Sequence, residues 1–213
     1  MNEELASAKI LPLLIRLTIP ATAAQLVNAL YSIVDRMYIG HMPGDGTLAL
    51  SAIGLTYPIT MLVAALSCLP GMGGAPLASI ALGKGEVGRA QKYLCNALTM
   101  LLAISVIMTA GCLIFLRPLL ILFGADHSTL PYASQYLTIY LLGTVFVELS
   151  LGLNPFINTQ GYTFIGTMSV VIGAVINIVL DPILSYVLHM GVRGAALATI
   201  LSQAVSAAWV LRF

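Results

Sequence analysis

The sequence predicts an all-α membrane protein with six transmembrane helices, arranged as a single domain over residues 1–213. Hydrophobic residues make up 59% of the chain and charged residues only 8%, whereas soluble domains carry about 25% charged residues. The mean hydropathy is +0.99. The apolar residues fall into six segments that are each long enough to cross a hydrocarbon core, which takes about 20 helical residues.

The six predicted spans differ in length and in proline content. The first two are longer than a bilayer requires, so they should tilt, kink or project from it. Pro20 predicts a bend in the first span. Pro58 and the run "LPGMGGAP" in the second should either loosen that helix or let another backbone approach closely. The approximate spans are 10–40, 48–82, 93–116, 131–157, 163–188 and 194–213.

Charge distribution predicts the orientation. The connection "GKGEVGRAQK" holds Lys84, Arg89 and Lys92, whereas the connections on the other side hold few positive residues. Because cytoplasmic loops carry the excess of Lys and Arg, we expect a multi-pass protein of the cell membrane with both termini in the cytoplasm. The net charge of +1 offers no basic surface for a nucleic acid partner.

Polar residues recur at helical spacing inside several spans. Such seams can be helix–helix contacts made by interhelical hydrogen bonds, which explains the hydroxyls better than the carboxylates. Carboxylates at membrane depth are costly and mostly face the bundle interior, where they serve function. The seams contain Asn28, Tyr31 and Asp35 on the first span, Tyr136 and Asn154 on the fourth, Asn177 and Asp181 on the fifth, and Thr199 and Gln203 on the sixth.

The stretch "NIVLDPILSY" combines a buried carboxylate with a helix breaker. Asn177 lies one turn before Asp181, and Pro182 follows directly, so its missing N–H should disturb nearby backbone carbonyls. Oxygen-only ligands of this kind suit hard cations. Two alternatives to a cation site remain open. Asp181 is a carboxyl group that gains and loses a proton, or it is neutral and hydrogen-bonded beside a tolerated proline kink. Asp35 is a second cation ligand or a plain interfacial charge. Glu148 matches no seam, and its role is left unassigned.

Four stretches resemble the multidrug and toxic compound extrusion (MATE) family, in its archaeal-like and DinF-like branches. The most specific is "NIVLDPILSYVLHMGVRGAALATILSQ", which is similar to the fifth and sixth helices of that family. The others are "LTIPATAAQLVNALYSIVDRMYIGH", with Pro20 at the helix bend and Asp35 at the acidic position, "LGKGEVGRAQK" and "NPFINTQG".

The resemblance implies a transporter and not an enzyme. Such proteins export cationic or amphipathic compounds by antiport against Na⁺ or H⁺, with no cofactor beyond that coupling ion. The family's coupling site maps onto Asp35, Asn177, Asp181 and Thr199, which would hold Na⁺ in a sodium-coupled member. Tyr136 and Asn154 map nearby, and these two residues are expected to line the substrate cavity together with the seam residues Asn28, Tyr31 and Gln203.

The resemblance also implies a partner for this chain. Family members have twelve helices in two lobes, and this chain corresponds to the N-terminal lobe. We therefore expect it to be part of a longer protein with a C-terminal lobe, or else to pair with a second copy.

Three other functions are disfavoured. A lipid-linked precursor or polysaccharide flippase of the same superfamily should have a more basic cavity. A membrane enzyme would need closely spaced catalytic groups, and a purely structural scaffold does not explain the buried carboxylates.

Overall fold

The structure, a computed structural model, describes residues 10–42 and 46–213, and every regular element within those two ranges is helical. The first helix covers the first predicted span with the same bounds and continues without interruption through Pro20. Among the described residues, the α-helices are α1 (Ile10–Gly40), α2 (Gly46–Gly83), α3 (Val87–Ile114), α4 (Leu116–Leu122), α5 (Leu130–Leu142), α6 (Thr144–Thr159), α7 (Thr163–Pro182) and α8 (Val192–Arg212).

Four of these helices are long and apolar enough to cross a membrane. They are α2, α3, α8, and α7 taken together with the turn that follows it. The pair α5 and α6 raises the number to five if the two bent segments form one span. The count refers to the described residues alone, and the prediction of six spans remains a prediction.

Helix α2 remains continuous through its three prolines and 38 residues. Of the two outcomes expected for "LPGMGGAP", the close backbone approach is the one observed. A Cβ atom built on Gly71 would lie 2.5 Å from the carbonyl oxygen of Gly152 on α6. Glycine is therefore required here because a backbone from another helix occupies the space of a side chain.

The predicted fourth span is not one straight helix. It is divided into α5 and α6, whose axes differ by 57°, and Gly143 is the residue between them. A Cβ atom on Gly143 would lie 2.3 Å from Cγ2 of Ile200, so α8 packs directly against the backbone at the break. The prediction of one span at 131–157 stays a prediction, since the two bent segments together are long and apolar enough to form a broken span.

The irregularity at Pro182 lies just after the proline and not in the turn before it. The α-helical hydrogen bonding of α7 reaches Pro182, and residues Ile183–Val187 form one π-helical turn. The backbone is thus wound differently immediately beyond Asp181, on the side where Ser185 lies.

The interior of the helix bundle is tightly packed and its outer surface is apolar, as expected for a protein in a bilayer. Small residues such as Ala52, Ala195 and Ala196 are fully buried or nearly so, which lets helices approach closely. Large apolar side chains such as Leu122 and Ile107 are mostly exposed. Helix α1 packs along α7, and α7 packs along α8, which brings the three polar seams of these helices together.

Candidate functional site

A cavity of about 480 Å³ lies at the centre of the predicted seams. Its wall is formed by α1, α2, α5, α6 and α8. Six of the residues predicted from the sequence line it, which means that helical spacing correctly identified the inward faces of α1, α5 and α8. These residues are Asn28, Tyr31, Asp35, Tyr136, Thr199 and Gln203.

Two carboxyl groups meet where α1 contacts α7. The carboxyl group of Asp35 interacts with that of Asp181, and Asp181 is completely buried. Ser185 Oγ donates a hydrogen bond of 2.9 Å to Asp181 Oδ1. Within residues 10–42 and 46–213, Asp35 Oδ1 and Asp181 Oδ2 have no hydrogen-bond partner. Such a pair requires a positive group, a proton or an ion between its members.

Asn177 and Thr199 complete the group. Asn177 is buried, and its Nδ2 donates to Thr199 Oγ1 across 3.4 Å between α7 and α8. Thr199 in turn donates to the carbonyl of Ala195 at 3.0 Å. With its amide nitrogen engaged in this way, Asn177 presents Oδ1, an atom that also has no partner in the described part of the chain.

The four residues thus form a group of oxygen donors. Asp35, Asn177 and Asp181 each contribute one buried oxygen without a hydrogen bond from the described residues, and the hydroxyl of Thr199 retains an acceptor lone pair. Hard cations take ligands of this type. The group can equally hold a proton on its carboxyl pair. The residues present therefore fit either coupling ion.

Aromatic and cationic side chains border this group on the cavity side. The Tyr136 and Tyr140 rings stack with centroids 6.3 Å apart, and Tyr136 also interacts with Asp35 and Thr199. The Arg36 guanidinium lies 5.6 Å from the centroid of the Tyr57 ring. Arg36 therefore contributes to the cavity wall.

Asn154 is not placed with these residues. Its Nδ2 donates to Gly166 O at 2.9 Å and to Ser169 Oγ at 2.7 Å, and its Oδ1 accepts from Asn158 Nδ2 at 2.9 Å. It is not among the residues that line the cavity. The expectation that Asn154 lines the cavity is therefore corrected, because its amide is used to join α6 to α7.

Two hydrogen bonds attach α1 to α7 on either side of the carboxyl pair. Thr167 Oγ1 donates to the carbonyl of Pro20 at 3.1 Å, and the Tyr186 hydroxyl donates to the carbonyl of Tyr38. The two acceptors are about 27 Å apart along the helix axis, at 1.5 Å per residue. Sequence reasoning missed both donors because neither belongs to a polar seam.

Glu148 is, with Asp181, a buried carboxyl among the residues that the structure describes. It lies on α6, is completely buried, and interacts with Tyr140. Neither of its carboxyl oxygens has a hydrogen-bond partner among the residues that the structure describes. Glu148 is not among the residues that line the cavity, although its helix neighbours Val147 and Leu151 are.

A helical membrane bundle with a polar cavity and partnerless buried carboxylates is the architecture of a membrane transport protein. A family model described as MatE matches residues 20–183. The chain therefore belongs to the MatE family, whose members are transporters and not enzymes. The resemblance inferred from the sequence is confirmed.

Curated relatives and solved structures agree with this assignment. The chain is 32% identical over 189 residues to a protein of Staphylococcus haemolyticus named multidrug export protein MepA, covering 89% of this chain and 41% of that protein. It is 28% identical over 206 residues to a protein of Shewanella oneidensis named FAD transporter, covering 95% of this chain and 45% of that protein. A crystal structure described as MATE in the bent conformation superposes with a TM-score of 0.85 at 29% identity, covering 93% and 44%.

The chain thus spans less than half the length of the relatives it matches. The match in fold over almost the whole chain identifies it as one lobe of a MATE fold.

Proposed function

We propose that residues 1–213 form a six-helix lobe carrying the coupling site of an exporter of cationic or amphipathic small molecules, driven by antiport against Na⁺ or H⁺. The observation that supports this most directly is the set of oxygens without hydrogen bonds from the described residues on Asp35, Asn177 and Asp181. The protein belongs in the cell membrane with both termini in the cytoplasm, and its activity requires a second lobe or a second copy.

The coupling ion bridges α1 and α7. With the ion bound, the charges of Asp35 and Asp181 are compensated, and the two helices are stabilised side by side. Without the ion, the carboxylates repel each other or attract a positively charged substrate in the cavity. Ion and substrate thus compete for the same charges, and the ion drives the change only through its different affinities for the two states.

The cavity suits the proposed cargo. Tyr31, Tyr136 and Tyr140 offer aromatic surface, and Asp35 offers a negative charge, a combination that binds organic cations and amphipathic molecules. The name of the staphylococcal relative refers to multidrug export, which supports the proposal. The Shewanella relative is named for a single compound, so relatives of this chain differ in their cargo.

Thermal unfolding of the purified protein in detergent tests the coupling site. Na⁺ should raise the unfolding midpoint at constant ionic strength in a sodium-coupled protein, and Asp181→Asn should abolish the rise. A proton-coupled protein should not respond to Na⁺, and Asp181→Asn should remove part of the dependence of its unfolding midpoint on pH. The matched control for the Na⁺ response is Asp126→Asn, which makes the same chemical change in the connection between α4 and α5. A wild type that responds to neither ion would contradict the proposal.

Measuring the export of a substrate tests the proposed transport function directly. In the complete transporter that contains this lobe, Asp35→Asn and Asp181→Asn should each abolish ion-coupled export of a cationic dye while the protein remains folded. Export at the wild-type rate by either variant would refute the assigned roles.

A further inference from the structure

A second pocket is separate from the central cavity. It has a volume of about 440 Å³ and is formed by α4, α5 and the first turn of α8. It shares no lining residue with the central cavity. It is located at the end of the bundle where α3 ends and α8 begins, opposite the turn between α2 and α3. Its lining consists of Leu116, Arg117, Ser134, Gln135, Thr138, Ile139 and Arg193.

The pocket is positively charged and contains no carboxylate among its lining residues. Arg117 and Arg193 are both exposed, and neither forms an ion pair within residues 10–42 and 46–213. Asp126, the acidic residue closest to Arg117 in the sequence, is already engaged by hydrogen bonds from Ser128 and Thr129. The two guanidinium charges therefore remain available to a ligand.

The polar groups around the two arginines indicate which class of ligand the pocket can bind. Gln135 Oε1 accepts a hydrogen bond from Arg193 Nε at 3.2 Å, which orients this guanidinium. The hydroxyls of Ser134 and Thr138 donate to carbonyls of their own helix, at 3.0 Å and 2.7 Å. The remaining side-chain donors are the two guanidinium groups and the amide Nε2 of Gln135, and the positive end of α8 adds to the field of the arginines. Such a fork of donors matches the oxygens of a phosphate group.

The surroundings of the pocket are apolar. Leu116 and Ile139 form part of its wall, and the preceding residues Ile114 and Phe115 are 73% and 58% exposed. A soluble anion would gain nothing from this surface, whereas the acyl chains of a lipid would cover it. We propose that the pocket binds the phosphate group of an anionic phospholipid, with the acyl chains lying against the exposed end of α3.

Lipid retention tests this proposal independently of the coupling site. The purified protein in neutral detergent is incubated with phosphatidylglycerol, with phosphatidylcholine or with inorganic phosphate. Native mass spectrometry then counts bound lipid, and thermal unfolding reports stabilisation. We expect phosphatidylglycerol to remain bound and to raise the unfolding midpoint more than phosphatidylcholine does. The double variant Arg117→Gln, Arg193→Gln should bind it at least about tenfold more weakly.

The matched control is Arg89→Gln, which removes one exposed arginine at the opposite end of the bundle and should leave retention unchanged. An equal loss in this control would overturn the proposal, because binding would then follow total charge. Stabilisation by inorganic phosphate as strong as that by phosphatidylglycerol would overturn the lipid assignment. If the double variant unfolds, the single variant Arg117→Gln replaces it in the binding test. The Arg117 side chain has no hydrogen bond among the described residues, so its loss should not unfold the protein. If that variant retains as much phosphatidylglycerol as the wild type, the pocket is not the lipid-binding site.

Discussion

Alanine at position 143 would disturb the break between α5 and α6. The backbone of Gly143 has φ −95°, which alanine adopts without strain, so the effect must come from packing. The new Cβ would lie 2.3, 2.4 and 2.6 Å from Cγ2, Cδ1 and Cγ1 of Ile200, whereas carbon atoms pack at about 3.5–4.0 Å. Ile200 is buried and β-branched, so it has little freedom to move aside.

Two opposing terms set the size of the effect. Overpacking of this kind costs about 1–3 kcal/mol. Replacing glycine by alanine in a helix gains up to about 1 kcal/mol. The steric term is the larger, so Gly143→Ala should lower the free energy of unfolding by roughly 1–2 kcal/mol. Because Tyr136 and Tyr140 lie on α5, a shift of the break would also move one wall of the cavity.

Thermal unfolding in detergent measures this loss against a control glycine. Gly73→Ala makes the same change inside α2, where no described atom lies within 4 Å of the new Cβ, and it should leave the midpoint unchanged or slightly raised. Ile200→Ala alone should cost about 2–5 kcal/mol. In the double variant the methyl group added at position 143 occupies part of the space left by the three carbon atoms removed at position 200, so the total cost should be about 1 kcal/mol or more below the sum of the two single costs. A Gly143→Ala protein as stable as the wild type, or strictly additive costs, would refute the reasoning.

Three further predictions concern single side chains. Tyr186→Phe removes the hydrogen bond to the Tyr38 carbonyl and should cost about 1 kcal/mol of stability, while an unchanged unfolding midpoint would show that this bond contributes nothing. Glu148→Met replaces a buried carboxyl that has no partner in the described residues and should raise the midpoint; a lower midpoint would mean that the carboxyl has a stabilising partner. The pKa of Asp126 is held below its usual value, first by the hydrogen bond from the backbone N–H of Thr129. Its stabilisation is therefore present above about pH 4 and is lost as the pH falls toward the lower folded pKa. Asp126→Asn should remove this part of the acid sensitivity, and identical acid profiles for variant and wild type would contradict it.

Local periodicity predicted much of the candidate site. Asn28, Tyr31 and Asp35 share one helical face by their spacing alone, and the structure turns that face toward the cavity. Asn177 and Asp181 are one turn apart, so both face the same neighbour once α7 is formed. These inferences succeeded because they depend only on geometry within a single helix.

Contacts between distant segments could not be predicted in this way. The break at Gly143 depends on Ile200, which is far along the chain and lies on another helix. Asn154 has the same spacing on its helix as a cavity residue would, yet its amide is engaged by Gly166 and Ser169 across the α6–α7 contact. A polar residue on an inward face can join two helices or line a cavity, and only the position of the neighbouring helix decides between them.

The attachment of α1 to α7 has an unequal tolerance to mutation. Both donors, Thr167 and Tyr186, are side chains of α7 or its terminal turn, whereas both acceptors are backbone carbonyls of α1. Every amino acid supplies a carbonyl, so substitutions at positions 20 and 38 leave the acceptors in place. The α7 side can lose either attachment through a single base change, whereas substitutions on α1 at either point keep the carbonyl acceptor. Natural variation that alters how firmly α1 is held should therefore accumulate at positions 167 and 186.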